Sequence, residues 1–233
     1  MIKLNIYTSL ITSVIVQVIT GIIEIASLFI DIPVKFSFLK QMMLLEIFVQ
    51  IIEGSFYIYW LYNFKSISNI TPKRYFDWVI TTPTMLINLI FYLIFLKHRD
   101  ENTSDELNFF TLFTKEFYTI ITVLLLNWLM LLFGYLADTS VISVVSGVTL
   151  GFIPFLIYYY IIYKKYAVLS NEGLIIYFYF FIFWSLYGVS ALLPYKFKSM
   201  CYNILDLFSK NFFGLFLTYL ILSSSRTKST FSS

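Results

Sequence analysis

Long apolar runs constrain this chain more than any other feature. A helix needs about 20 mainly apolar residues to cross a bilayer. Seven segments reach that length, over about residues 6–30, 39–63, 74–97, 116–137, 141–163, 174–194 and 200–223. Membrane barrels are built instead from alternating strands of about ten residues, half the length of these runs. The links are short and punctuated: Asp31-Ile32-Pro33, Ser66 to Pro72, His98 to Glu106, Ala137 to Ser140, Lys164 to Gly173 and Pro194 to Ser199. The expected fold is an all-α, multi-pass integral membrane protein, a seven-transmembrane-helix bundle over residues 1–223. A short cytoplasmic tail, 224–233, is rich in Ser and Thr and is expected to be disordered. The first segment lacks a small-residue cleavage site, so it reads as a span and not as a signal peptide.

Composition agrees with lipid as the solvent. Of 233 residues, 59% are hydrophobic and 12% are charged, against about 25% charged in soluble domains. A net charge of +3 gives no reason to expect a nucleic-acid partner. With one cysteine (Cys201) and one histidine (His98), neither an internal disulfide nor a Cys/His metal cluster can form, and no metal site is expected. Sidedness follows from the basic residues. With the N-terminus outside, nine Lys and Arg fall in the inner links and tail and six on the outer side. That bias favours an outside N-terminus.

Lys210 lies in the middle of the seventh span, where a charged side chain costs several kcal/mol and marks a functional site by default. Asp206 stands four residues earlier on the same helix face, and Asn203 and Gly214 extend that face. Asp77 lies deep in the third span, one turn from Thr81 and about one turn inside Arg74. One cation between two anions, with an arginine to anchor them, suits a low dielectric. The bland alternative is a structural salt bridge between spans. A lysine amine can also condense with an aldehyde to a Schiff base. Asp77 and Asp206 would then be counterions, and Trp78 and Trp184 would form the floor and roof of a flat polyene slot.

At these residues the chain resembles the microbial (type 1) rhodopsins. Arg74-Tyr75-x-Asp77-Trp78-x-x-Thr81-Thr82-Pro83 is similar to their third-helix signature. Asp206-x-x-x-Lys210 matches their seventh-helix counterion and retinal lysine, and Trp184-Ser185-x-Tyr187 resembles their sixth-helix retinal contact. Asn127, Met130 and Gly134 fall at fourth-helix positions that touch the retinal ring. The resemblance covers all seven spans. It implies all-trans retinal on Lys210, counterions Asp77 and Asp206, support from Arg74 and Thr81, and a pocket of Trp78, Thr82, Met130, Gly134, Trp184 and Tyr187. Such a protein is a photoreceptor and not an enzyme.

The departures bear on transport. Outward proton pumps of that family usually carry a carboxylic acid eleven residues after the first counterion; here the residue is Asn88, which cannot donate a proton that way. The outer mouth holds Lys196 and Lys198 in place of acids. Gly188 replaces a common proline, and Ala191 a common aromatic.

Polar stripes mark the first two spans. Glu46, Gln50, Glu53 and Tyr57 share one helical face, as do Ser13, Gln17, Thr20 and Glu24. In lipid they must face protein or water. Rings of carboxylates favour cations, whereas the plainer alternative is a satisfied hydrogen-bond network between helices. Acidic residues along the second helix resemble channelrhodopsins and, more closely, the group 1 viral rhodopsins of giant algal viruses, which are light-gated cation channels. That resemblance implies an ion path through Ser13, Gln17, Glu46, Glu53, Asn203 and Asp206, with Glu46 nearest the inner surface, and a Thr82–Asn127 bridge between helices. It also implies sodium, protons and calcium as candidate cations, a host-cell membrane, and compatibility with homo-oligomers. The alternative functions are an outward proton pump fed by Glu46 or Glu53 and a sensory receptor acting through a partner protein.

Overall fold

The computed structural model describes residues 5–230. The helices are α1 (Ile6–Ser27), α2 (Ser37–Tyr62), α3 (Thr71–Asp100), α4 (Phe109–Lys115), α5 (Phe117–Asp138), α6 (Val144–Lys165), α7 (Asn171–Ala191), α8 (Tyr195–Asp206) and α9 (Phe212–Thr230). A π turn over Leu207–Asn211 joins α8 to α9, making one span of Tyr195–Ser225. Seven helices are long and apolar enough to cross a membrane, as the sequence predicts.

Local chemistry sets the helix starts. The Asn5 side chain accepts from the Thr8 N–H, and the Thr8 hydroxyl accepts in return from the Asn5 N–H, which closes a capping box. Ser143 and Ser170 cap α6 and α7. Pro72 sits in the first turn of α3, where its missing N–H costs nothing. The third span therefore starts at Thr71 and ends at Asp100, beyond the apolar stretch 74–97, because polar residues continue the helix past the hydrocarbon. The same effect starts the last span at Tyr195 and carries α9 to Thr230, into the stretch read from sequence as tail; residues 231–233 lie outside those described. α4 is a short helix that hydropathy leaves unassigned. It is capped by Asn108 and tied to α2 by its Phe109 N–H, which donates to Gln41 Oε1 at 2.8 Å.

The bundle closes as a ring. α1 packs on α2 and on the last span, α3 on α2, α5 and α7, α5 on α6, and α7 on α8. α3 is the central helix: 72% of its apolar window is buried, against 28–56% in the others. Its Leu86, Leu89, Ile90, Phe91 and Leu93 form the heart of the core. Large apolar side chains such as Ile22, Phe76, Tyr118 and Ile175 point outward, as lipid requires.

α5 and α6 pack tightly at Gly147. A β-carbon there would lie 2.5 Å from Ala137 Cβ and 2.9 Å from the Phe133 carbonyl oxygen. At the opposite end of the pair, Lys165 Nζ and Tyr166 OH each donate to Glu116 Oε2 at 2.6 Å. Burial pushes the Glu116 carboxyl up, but these donors outweigh it and hold it below the usual carboxylate range. Gly147→Val is expected to wedge α5 from α6 and cost about 1–3 kcal/mol, read as a lowered thermal transition of the purified protein.

Candidate functional site

The functional residues meet in the middle of the bundle, on α2, α3, α7 and the last span. Lys210 Nζ is buried and has three carboxyl neighbours. Asp77 Oδ2 of α3 lies at 2.9 Å, Glu53 Oε1 of α2 at 3.5 Å and Asp206 Oδ1 at 3.8 Å. Only the Asp77 contact is a hydrogen bond. Asp206 has three other partners: Tyr57 OH at 2.5 Å, Tyr187 OH at 2.7 Å and Arg74 Nη1 at 3.1 Å. Arg74 Nη2 donates to Asn203 Oδ1, and Asn203 Nδ2 donates to Ser9 Oγ at 2.9 Å.

The sequence-predicted residues thus converge, with three adjustments. Arg74 pairs with Asp206 alone and does not bridge both aspartates. Thr81 Oγ1 donates to the Asp77 backbone carbonyl at 3.0 Å, while Asp77 Oδ1 has no hydrogen-bond partner. Glu53, expected along a path, stands beside the amine itself. Lys210 and Arg74 thus face Asp77, Asp206 and Glu53, so two cations meet three carboxyl groups.

Toward the end of the bundle where α1 terminates, a second layer follows. Asn211 Nδ2 donates to Thr20 Oγ1 at 2.7 Å and to Gln50 Oε1 at 3.1 Å. Gln50 Nε2 donates to Thr20 Oγ1 at 3.1 Å and to the Gln17 carbonyl at 2.7 Å. This clasp joins α1, α2 and the π turn. Beyond it Asn88 Nδ2 donates to Glu46 Oε2 at 3.1 Å. Glu46 is 1% exposed, so the bundle encloses it although it stands near the end of the apolar run. Ser13 Oγ donates to the Asn203 carbonyl at 3.2 Å. Gln17 is buried, and its side-chain amide has no protein partner. Sequence reasoning missed Ser9 and Asn211. Asn211 had a legible signal, an amide in hydrocarbon next to the lysine; Ser9 had none.

On the other side of Lys210 lies a cavity of about 120 Å³, roughly ten times what one water requires. Trp78, Thr82, Met130, Gly134, Trp184 and Tyr187 all line it, with Gly151, Phe152, Gly188 and Ala191 among their neighbours. Asn127 stands outside that wall and donates from Nδ2 to Thr82 Oγ1 at 2.8 Å. A β-carbon at Gly134 would lie 2.6 Å from Tyr75 OH, and one at Gly188 2.7 Å from the Phe152 ring. These glycines admit neighbouring rings that shape the chamber. Retinal, a flat apolar polyene with an aldehyde, fits this donor set: aromatic walls, little polarity and a primary amine opening onto the space.

These features define a membrane bundle built around a buried amine, a carboxyl cluster and an aromatic chamber. The family model for bacteriorhodopsin-like proteins matches residues 6–224, and the chain belongs to that family of retinal-binding photoreceptors and ion transporters, which are not enzymes. The viral rhodopsin OLPVRII is 28% identical, with a TM-score of 0.78 over 94% of this chain and 98% of that one. A blue light-absorbing proteorhodopsin from Med12 is 18% identical, with a TM-score of 0.72 over 95% and 98% of the two chains. Bromide-bound halorhodopsin from Halobacterium salinarum is 14% identical, with a TM-score of 0.68 over 94% of each. The last two share the fold. No curated protein sequence matches the chain.

Removing Arg74 would take the nearest cation from buried Asp206 and leave it Lys210 at 3.8 Å. Arg74→Gln is expected to lower stability by about 3–5 kcal/mol, measured by thermal denaturation in detergent.

Proposed function

We propose that this protein is a light-gated cation channel of the group 1 viral rhodopsin type, carrying all-trans retinal on Lys210, with its N-terminus outside the cell. The observation that carries this reading is a column of buried polar side chains between α1, α2, α3 and the last span. It runs through Ser9, Asn203, Asp206, Glu53, Gln17, Gln50, Asn211 and Glu46. Several of its polar atoms, on Gln17, Glu53 and Asn211, have no protein hydrogen-bond partner. Unmet polar groups in hydrocarbon are costly unless water reaches them. A column that gains from hydration is a latent ion path.

Retinal, when bound, supplies light absorption and a change of shape at the Lys210 nitrogen. The chain supplies the rest. Asp77 Oδ2, at 2.9 Å, is the acceptor for the proton at Lys210 Nζ. Once that proton has crossed, the Lys210 nitrogen and Asp77 are neutral, Glu53 loses the positive charge beside it, and Asp206 keeps Arg74 alone. Asn211 moves with Lys210 because both sit on the π turn, which pulls its amide from Thr20 and Gln50. Water enters the opened clasp, and sodium and protons pass along the carboxyl groups; calcium is a further candidate. A switch of this kind needs only a few kcal/mol between its states.

One observation favours the alternative of an outward proton pump. Glu46 is hydrogen-bonded to Asn88, so a carboxyl group stands beside the position where pumps keep their donor. Voltage-clamped photocurrents separate the two. A channel current reverses as the sodium gradient is reversed, and a current that stays outward at all voltages overturns the channel reading.

Two variants test the assigned roles. Glu53→Gln is expected to cut the cation photocurrent roughly tenfold while the pigment still forms, equivalent to about 1.4 kcal/mol in the passage barrier; an unchanged current removes Glu53 from the path. Asp77→Asn removes the nearest counterion, which stabilises the localised ground-state charge more than the delocalised excited state. Its absorption maximum is expected to move to longer wavelength in the purified pigment.

A further inference from the structure

Glu24 takes no part in the clasp or the counterion cluster. It is fully buried on α1, one turn past Thr20. Neither of its carboxylate oxygens has a hydrogen-bond partner. The carboxylate lies against the backbone of Gly214, so close that a β-carbon there could not be placed without displacing it. Gly214 stands one turn beyond Lys210 on the same helix face.

The polar column continues on both sides of this contact. Glu46, also buried, lies within electrostatic reach of Glu24. Farther along, Ser27 Oγ donates to the Glu24 carbonyl at 2.6 Å. Thr218 of α9 is buried with its hydroxyl unpartnered. A purely structural role would not need a carboxyl group here, since an apolar side chain would fill the space at no cost in desolvation. Glycine also weakens the interior of a helix. The pair makes sense as a constriction, in which an acid closes the column only because the facing helix lacks a β-carbon.

We propose that Glu24, seated on Gly214, is the inner cation-selecting constriction of the path, released when the turn carrying Lys210 moves. This rests on the channel reading above and adds a residue outside the counterion cluster. Displacement of α9 removes the seat. The Glu24 carboxylate then faces the widened column, where it replaces part of the water around a passing cation.

The test uses the full chain with retinal, under voltage clamp across sodium and calcium gradients. Glu24→Gln is expected to lower the calcium-to-sodium permeability ratio severalfold. Glu24→Ala and Gly214→Ala each break the seat from one side and are expected to slow closing about tenfold. The double variant should close no more slowly than either single, because both remove one contact. Additive effects, or closing at the wild-type rate in both singles, overturn the proposal while the channel reading stands. If Gly214→Ala forms no pigment, the permeability ratio of Glu24→Gln decides: a shift supports the constriction and a wild-type ratio overturns it. A wild-type current that does not reverse overturns the channel reading, and the constriction with it.

Discussion

A primary amine cannot remain charged in hydrocarbon without anionic company, and Lys210 draws that company from three directions. Asp77 comes from α3, Glu53 from α2 and Asp206 from its own helix. The consequences spread outward. Asp206 is fixed by Tyr57, Tyr187 and Arg74, and Arg74 brings in Asn203 and, through it, Ser9 of α1. One buried charge thus accounts for polar contacts among five of the seven spans. It also accounts for the central place of α3, which must carry both Arg74 and Asp77 to the axis of the bundle.

The π turn divides this cluster into two working faces. Lys210 lines the aromatic chamber, while the next residue, Asn211, bonds to Thr20 and Gln50 in the polar column. Consecutive residues on a helical turn point in different directions, so one turn of backbone addresses both the chamber and the column. π turns are rare and are frequently found at functional sites. Under the channel reading proposed above, the turn puts the retinal side and the ion side in mechanical contact, so that movement at one nitrogen is felt as the loss of an amide hydrogen bond at the other side. No separate relay is needed.

The relation to pumps turns on the far layer. Asn88 removes the carboxylic acid expected along α3, yet Glu46 on α2 restores one within hydrogen-bond distance. A buried carboxyl group has the chemistry to take a proton or to hold a cation. On the reading proposed above, the difference between the two activities lies in whether the column opens along its whole length. The unpartnered atoms of Gln17, Glu24 and Glu53 are what a column prepared for water would contain.

Hydropathy alone determined the seven spans, because lipid enforces length and helicity. Lys210, Asp77, Asp206 and Glu53 were legible as single residues too, since a charge in an apolar run is conspicuous wherever it packs. The start of α3 at Thr71 and the short α4 were not, because polar caps and surface helices carry no hydrophobic signal. Distance belonged to the tertiary structure. It decided that Arg74 serves Asp206 and not Asp77, that Glu53 joins the amine, and that Glu46 is buried. It also set Asn211 across from Thr20 and Glu24 against Gly214. A sequence fixes which groups must leave water, but their partners depend on how helices rotate and cross, and only packing chooses that.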